Sequence, residues 1–263
     1  MKEKNWKRLH CLAGVLVILL CISFYQQEKQ KGLQQDVQSL FVKETMVSTG
    51  VSKEEKRKVY LTFDDGPSRY TEEILAILEE EGVKATFFVI GHEGEVYAKR
   101  YREIVEQGHT LAMHAYNHDY NKIYRSIDAF SNDLNKIQNL LEETTGVKAT
   151  IYRFPGGSSN SNMKVPVKKL IQYLNTKGIT YYDWNALSED AIYKNMSAGQ
   201  LNKNVLKDLK NHNPCIVLMH DLGDRHGTVE ALKPLIHRLK EMNCELLPIT
   251  ETTPAIQHVK IKE

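Results

Sequence analysis

From Val59 onward, short apolar runs alternate with longer segments of helical spacing, about seven times over. The runs are VYLTF from Val59, ATFFVI from Ala85, TLAMH from Thr110, ATIYRF from Ala149, ITYYDW from Ile179, CIVLMH from Cys215 and CELLPI from Cys244. They are rich in β-branched and aromatic residues and have the length of buried strands. The segments between them begin at Thr71, Glu95, Ser126, Val165, Ala198 and Thr228. Several close on Gly or Asn, which end helices readily. Such alternation calls for a parallel sheet with helices packed outside it. An open doubly wound sheet and a distorted (β/α) barrel of about seven strands both satisfy it. The first strand runs into DDGPSRYTEE, not a glycine-rich phosphate cradle, which argues against nucleotide binding.

The residues before this region have another character. Lys2, Lys4, Lys7 and Arg8 precede an uncharged apolar run from Cys11 to Tyr25. A basic flank before such a run directs export. No clean small-residue cleavage site follows, so the expectation is a retained transmembrane anchor within residues 1–27 rather than a cleaved signal. The flank places the N-terminus inside and the remaining chain outside the cell membrane. Residues 28–57 are polar and charged and read as a stalk, leaving residues 58–263 as the folded domain with a short C-terminal tail. The formal net charge is only +2, from 35 basic and 33 acidic side chains, and gives no reason to expect nucleic acid. Four cysteines are too few for a disulfide scaffold, and Cys215 and Cys244 are expected as buried free thiols.

In barrels of this kind, active sites form where the strands end. The reactive residues of this chain fall there. The first strand ends in Asp64-Asp65, the third at His114 with His118 four residues on, and the fourth at Arg153. The fifth ends in Asp183-Trp184 and the sixth in His220-Asp221. On a helical turn, the spacing of His114 and His118 would put both imidazoles on one side. One further oxygen ligand would make an open site for zinc or a related divalent ion. Asp183 is the candidate carboxylate beside His220, suiting that imidazole to general-acid work. Arg153 is either a structural ion-pair residue or the group that keeps one of the paired aspartates ionised. Asp221 reads as a loop carboxylate, and an indole at a rim, as at Trp184, commonly stacks on sugar. A serine esterase of the usual kind is unsupported, since no G-x-S-x-G occurs.

In order and spacing, TFDDG, HAYNH, RFPGG, YDW and LMHD resemble the motifs of the polysaccharide deacetylases, the NodB-homology domain of carbohydrate esterase family four. The resemblance spans about Val59 to Thr250. It implies a distorted (β/α) barrel that removes acetyl groups from polysaccharide with a divalent metal, often zinc. Carried over, Asp64 matches the general base, and Asp65, His114 and His118 match the metal ligands. Arg153 matches the residue that orients the base, Asp183 the carboxylate that tunes the acid, and His220 the acid. Trp184 and Leu218 match residues that wall the groove and the acetyl pocket. The chain departs from the family pattern at three places. Ala115 stands where Ser or Thr follows the first metal histidine. Gly156 stands where the third motif has tyrosine, although its amide can still serve the oxyanion. Thr180 stands where a carboxylate precedes Asp183 by three residues. Together with the expected anchor, the resemblance points to N-acetylglucosamine of peptidoglycan as substrate, with chitin oligomers, an exopolysaccharide or acetylxylan as alternatives. The rival of another class is a catalytically inactive wall-glycan-binding module on the same fold, against which the intact Asp64, Asp65, His114, His118 and His220 argue.

Overall fold

The computed structural model describes residues 26–34, 36, 56–193 and 195–261. The chain divides into two units, Met1–Glu55 and Lys56–Glu263. In the first, residues 26–34 and 36 are helical. The apolar run expected as an anchor lies outside the described residues, among which no helix is long and apolar enough to cross a membrane.

In the second unit the strands are β1 Lys58–Asp64, β2 Thr86–Ile90, β3 Thr110–Ala115, β4 Ile151–Tyr152, β5 Thr180–Tyr181, β6 Ala186–Leu187, β7 Cys215–His220 and β8 Glu245–Leu246. Seven of them form a parallel sheet in the order β5-β4-β3-β2-β1-β7-β6, and β8 pairs with the start of β1. The sheet curls into a half-barrel, and no strand pairing joins its edges β5 and β6. The two-residue β6 was not among the expected strands. It is too short to leave a periodic pattern, and its pairing with Val217 and Leu218 of β7 defines it.

Alternation along the strands sorts side chains to two faces. Val59, Leu61 and Phe63 of β1, with Cys215, Val217 and Met219 of β7, pack in the layer between sheet and helices. Tyr60, Phe88, Ala112, Ile151, Tyr182, Ile216 and Ile249 form a separate cluster on the concave face. In β1, β3 and β7 that same alternation puts Asp64, His114 and His220 in phase with Tyr60, Ala112 and Ile216.

The outer layer consists of α1 Thr71–Glu80, α2 Glu95–Glu106, α3 Tyr120–Ile123, α4 Ile127–Thr145, α5 Val167–Thr176, α6 Ala198–Leu209 and α7 His226–Glu241. Their buried residues recur at helical spacing, as with Phe130, Leu134, Ile137 and Leu141 of α4. Ser126 caps α4 by accepting from the Ala129 amide at 3.1 Å, and Gly146, left-handed at φ 73°, ends it. Ser197 and Gln200 form a capping box on α6.

The seam between β5 and β6 is covered by the chain itself. The Tyr182 amide donates to Tyr152 O (2.9 Å) on the β5 side, and the Asn185 amide donates to Ile216 O (3.1 Å) on the β6 side. The C-terminal residues lie along this link. The Asp183 amide donates to Ile256 O (2.8 Å), and the Val259 amide donates to Ser158 Oγ (3.0 Å). Cys215 is buried toward the helices and Cys244 is partly buried against the same layer; both are free thiols.

Phe88 lies on the concave face beneath the Arg153 guanidinium, whose carbon is 3.9 Å from the ring centroid. Phe88→Ala should lower unfolding stability by about 3–5 kcal/mol in urea denaturation, as fully buried aromatic truncations do. A loss under about 1 kcal/mol would mean that this cluster does not hold the barrel.

Candidate active site

Parallel pairing sets the tip of β1 beside its neighbours: Asp64 is in register with Phe88 on one side and with His220 on the other. The next residue, Asp65, has φ 71°, a left-handed conformation that Asp tolerates better than most residues. The turn is locked from below by Asp221, which is buried and accepts from Ser68 Oγ (2.5 Å) and Thr71 Oγ1 (2.6 Å). An ideal Cβ on Gly66 would lie 2.4 Å from Asp221 Oδ2, so only glycine fits there. Asp221 is thus the loop carboxylate its position implied.

Arg153 is wholly buried and reaches across the barrel. Its Nη1 donates to Asp64 Oδ1 and Thr62 Oγ1, both at 2.7 Å, its Nε to Tyr182 O at 3.0 Å, and its Nη2 to Asp183 O at 3.2 Å. It therefore does both things the sequence left open, pairing with Asp64 and tying the seam of the barrel. Burial pushes the Asp64 carboxyl up to about 6, against the opposing pull of Arg153 and then His220.

The two histidines do not share a helical turn. His114 is on β3, and His118 is on the loop beyond it, before α3. Parallel pairing holds His114, while the loop carrying His118 is folded by Asp133 of α4. Asp133 accepts from the Tyr116 and Asn117 amides, each at 2.8 Å. His114 Nδ1 is 2.8 Å from Arg153 O, so Nδ1 carries the proton and Nε2 keeps its lone pair. Burial, reinforced by His118, holds His114 well below the ordinary imidazole range and therefore neutral.

Asp65 Oδ1 is buried with no hydrogen-bond donor. It lies 3.5 Å from His114 Nε2 and 3.3 Å from His118 Nε2. Ligand atoms of the three residues lie within 4.8 Å of one another. One orphaned carboxylate oxygen facing two imidazole nitrogens fits a divalent cation of the zinc type.

Asp183 is not the partner of His220. Its carboxylate accepts from the Ser158 amide (2.8 Å), Ser158 Oγ (2.6 Å) and the His258 amide (2.7 Å), tying the loop after β4 to the C-terminal tail. The partner is Asp190, whose Oδ1 is 2.8 Å from His220 Nδ1. Asp190 Oδ2 accepts from the His220 amide (2.8 Å) and Thr228 Oγ1 (2.7 Å). β6 is the reason: it pairs with β7, so the loop leaving β6 ends beside His220, whereas Asp183 precedes the crossing of the seam. Burial pulls His220 down, but the Asp190 hydrogen bond and charge outweigh it and push the imidazole up to about 9. The readable signal was positional, a carboxylate seven residues beyond Asp183 in the stretch leading to α6.

Around these groups lie the remaining expected residues. Leu218 is nearly buried on β7 and, two residues before His220, shares its face. Trp184 is half-buried, its ring edge-on to His258 with centroids 5.0 Å apart. Gly156 has φ 76°. Its preceding carbonyl, Pro155 O, accepts from the Tyr124 hydroxyl (3.0 Å) and Asn160 Nδ2 (3.1 Å). In a trans peptide the N–H points opposite to the carbonyl, so the Gly156 amide is turned away from those two donors.

Comparison with known proteins places this geometry among relatives. A family model described as polysaccharide deacetylase matches residues 52–182. The protein YheN of Bacillus subtilis is 33% identical over 191 residues, 70% of this chain and 64% of its own length. A peptidoglycan-N-acetylglucosamine deacetylase of Bacillus cereus is 30% identical over 195 residues, 73% of this chain and 68% of that protein. Among solved structures, the catalytic domain of a peptidoglycan N-acetylglucosamine deacetylase from Eubacterium rectale is similar, with a TM-score of 0.74 and 37% identity. That match covers 78% of this chain and 94% of that one.

The two carboxylates separate by experiment. In an NMR titration His220 should titrate near 9. Asp190→Asn should lower that value by about one unit or more. Asp183→Asn should leave it in place and instead cost roughly 1–3 kcal/mol of stability, because buried donors lose their acceptor. The opposite pattern would return the tuning role to Asp183.

Proposed function

The chain belongs to the polysaccharide deacetylase family, and on that premise we propose that it is a metal-dependent hydrolase that removes acetyl groups from a cell-surface polysaccharide. The observation that carries the reading is the division of labour between adjacent carboxylates. Asp64 is held by Arg153 with its Oδ1, while Asp65 turns an unpartnered oxygen toward His114 and His118.

Asp65, His114 and His118 would hold the ion, zinc by the character of the donor set. A bound ion would supply Lewis acidity at the acetyl carbonyl, lower the pKa of water and favour the ionised form of Asp64. Asp64 is the general base that takes a proton from the attacking water, and Arg153 fixes its orientation. The Gly156 N–H faces the oxyanion that forms as water adds to the carbonyl. His220, protonated through Asp190, gives its Nε2 proton to the departing amine, and acetate leaves. Leu218 closes the groove around the methyl group and Trp184 walls it on the sugar side.

The substrate favoured is N-acetylglucosamine of peptidoglycan, supported by the activity for which the similar Bacillus cereus and Eubacterium rectale proteins are named. The basic flank and apolar run at the N-terminus support an anchored domain outside the membrane, within reach of the wall.

Three experiments test these statements. The purified chain should release acetate from peptidoglycan, lose that activity to a chelator and regain it with zinc. His118→Ala should lose bound metal while remaining folded, whereas Asp64→Asn should keep the metal and lose about 10²–10⁴-fold in turnover. Turnover by Asp64→Asn within about tenfold of the parent would remove Asp64 from the role of base. In cell fractionation the protein should stay with membranes through a high-salt wash; release by salt, or a product beginning near Phe24, would refute the anchor.

A further inference from the structure

Residue 156 lacks the tyrosine side chain of the family pattern, and the space above it is filled from elsewhere in the chain. An ideal Cβ on Gly156 would lie 3.0 Å from the Tyr120 hydroxyl and 2.5 Å from Asn160 Nδ2. Asn160 Nδ2 is engaged with Pro155 O, as is the neighbouring Tyr124 hydroxyl. The Tyr120 hydroxyl makes no hydrogen bond within the protein among the described residues. Tyr120 opens α3 two residues after His118, and its ring tilts against that imidazole with centroids 5.4 Å apart. A second contact, with Tyr124 at 6.0 Å, fixes the ring from behind. Tyr120 is half-buried, and its hydroxyl feels the charges of Asp65 and Asp64. A hydroxyl with no partner in the protein is therefore held between the His118 imidazole and the backbone of Gly156.

We infer that Tyr120 is a further catalytic residue of the deacetylation proposed above, its hydroxyl donating a hydrogen bond to the acyl oxygen beside the Gly156 N–H. The contribution is electrostatic: no proton leaves the phenol, and the bond strengthens as charge develops on the oxygen. The placement also explains why glycine stands at 156. A side chain there would collide with Tyr120 and Asn160, in a backbone conformation that disfavours any Cβ. The tyrosine has moved to another loop, and the groove keeps an aromatic hydroxyl.

The test compares the full chain with Tyr120→Phe, which removes only the hydroxyl, and Tyr120→Ala, which also removes the ring. Four quantities are read: zinc affinity of the metal-free protein, acetate affinity of the zinc-loaded protein, and kcat and KM on a trimer of N-acetylglucosamine. Tyr120→Phe should bind zinc within about twofold of the parent, bind acetate at least about fivefold more weakly, and lose about 10–100-fold in kcat with little change in KM. Acetate affinity and kcat equal to the parent's in Tyr120→Phe would overturn the inference, leaving the ring a packing partner of His118. So would a tenfold loss of zinc affinity, roughly 1.4 kcal/mol, since the residue would then act through the metal loop. Failure of the parent to release acetate counts against the proposed function on this substrate, while the acetate measurement still decides Tyr120 without turnover.

Discussion

A guanidinium with no access to water is costly unless every polar neighbour compensates it, and the barrel of this protein is arranged around meeting that condition. Arg153 is answered by the Asp64 carboxylate, the Thr62 hydroxyl, two backbone carbonyls and the face of Phe88. These partners come from β1, β2 and the link between β5 and β6, so one side chain spans the half-barrel and ties its open seam. Its own carbonyl accepts from His114 Nδ1 and so sets the tautomer that leaves Nε2 available as a ligand. The orientation of Asp64, the tautomer of His114 and closure of the seam thus depend on a single residue. Removing one member of such a buried pair typically costs about 3–5 kcal/mol, so fold and site share this dependence.

The concave face gathers the chemistry by simple alternation. Asp64, His114 and His220 end their strands in phase with the apolar residues below them, and parallel register brings Asp64 and His220 side by side. What alternation cannot place, carboxylates outside the strands do. Asp133 folds the loop that carries His118, Asp221 locks the turn after Asp65, and Asp190 holds His220 in its protonated form. All three are largely removed from solvent and act as acceptors for main-chain or side-chain donors, which makes each loop a defined geometry rather than a flexible rim.

Those features carried by long, regular patterns were legible in the sequence. β1, β2, β3 and β7 and the six longer helices fall where periodicity puts them, and the strand-end acids, imidazoles and Arg153 fall on one rim. Features decided by a few residues were not legible. β6 has two residues and α3 four, below the length at which periodicity exists. Missing β6 moved the tuning carboxylate from Asp190 to Asp183, because the chain crosses the seam between them. With Asp190 in that place, the residue three positions before it is Leu187, again not a carboxylate. The spacing of His114 and His118 fitted a helical turn, yet a strand end and a loop achieve the same convergence. The C-terminal tail left no signal at all, since its hold on Asp183 and Ser158 is made by main-chain amides that any sequence could supply.

On the proposed reading, the two adjacent carboxylates hold different partners, Asp65 the ion and Asp64 the guanidinium. A crystal structure of the zinc-loaded protein, with the ion located by anomalous scattering, tests it most directly. One zinc should be bound by Asp65, His114 and His118, with Asp64 still paired to Arg153 and outside the coordination sphere. Zinc ligated by Asp64 in place of Asp65, or found elsewhere on the chain with these three residues empty, would contradict it.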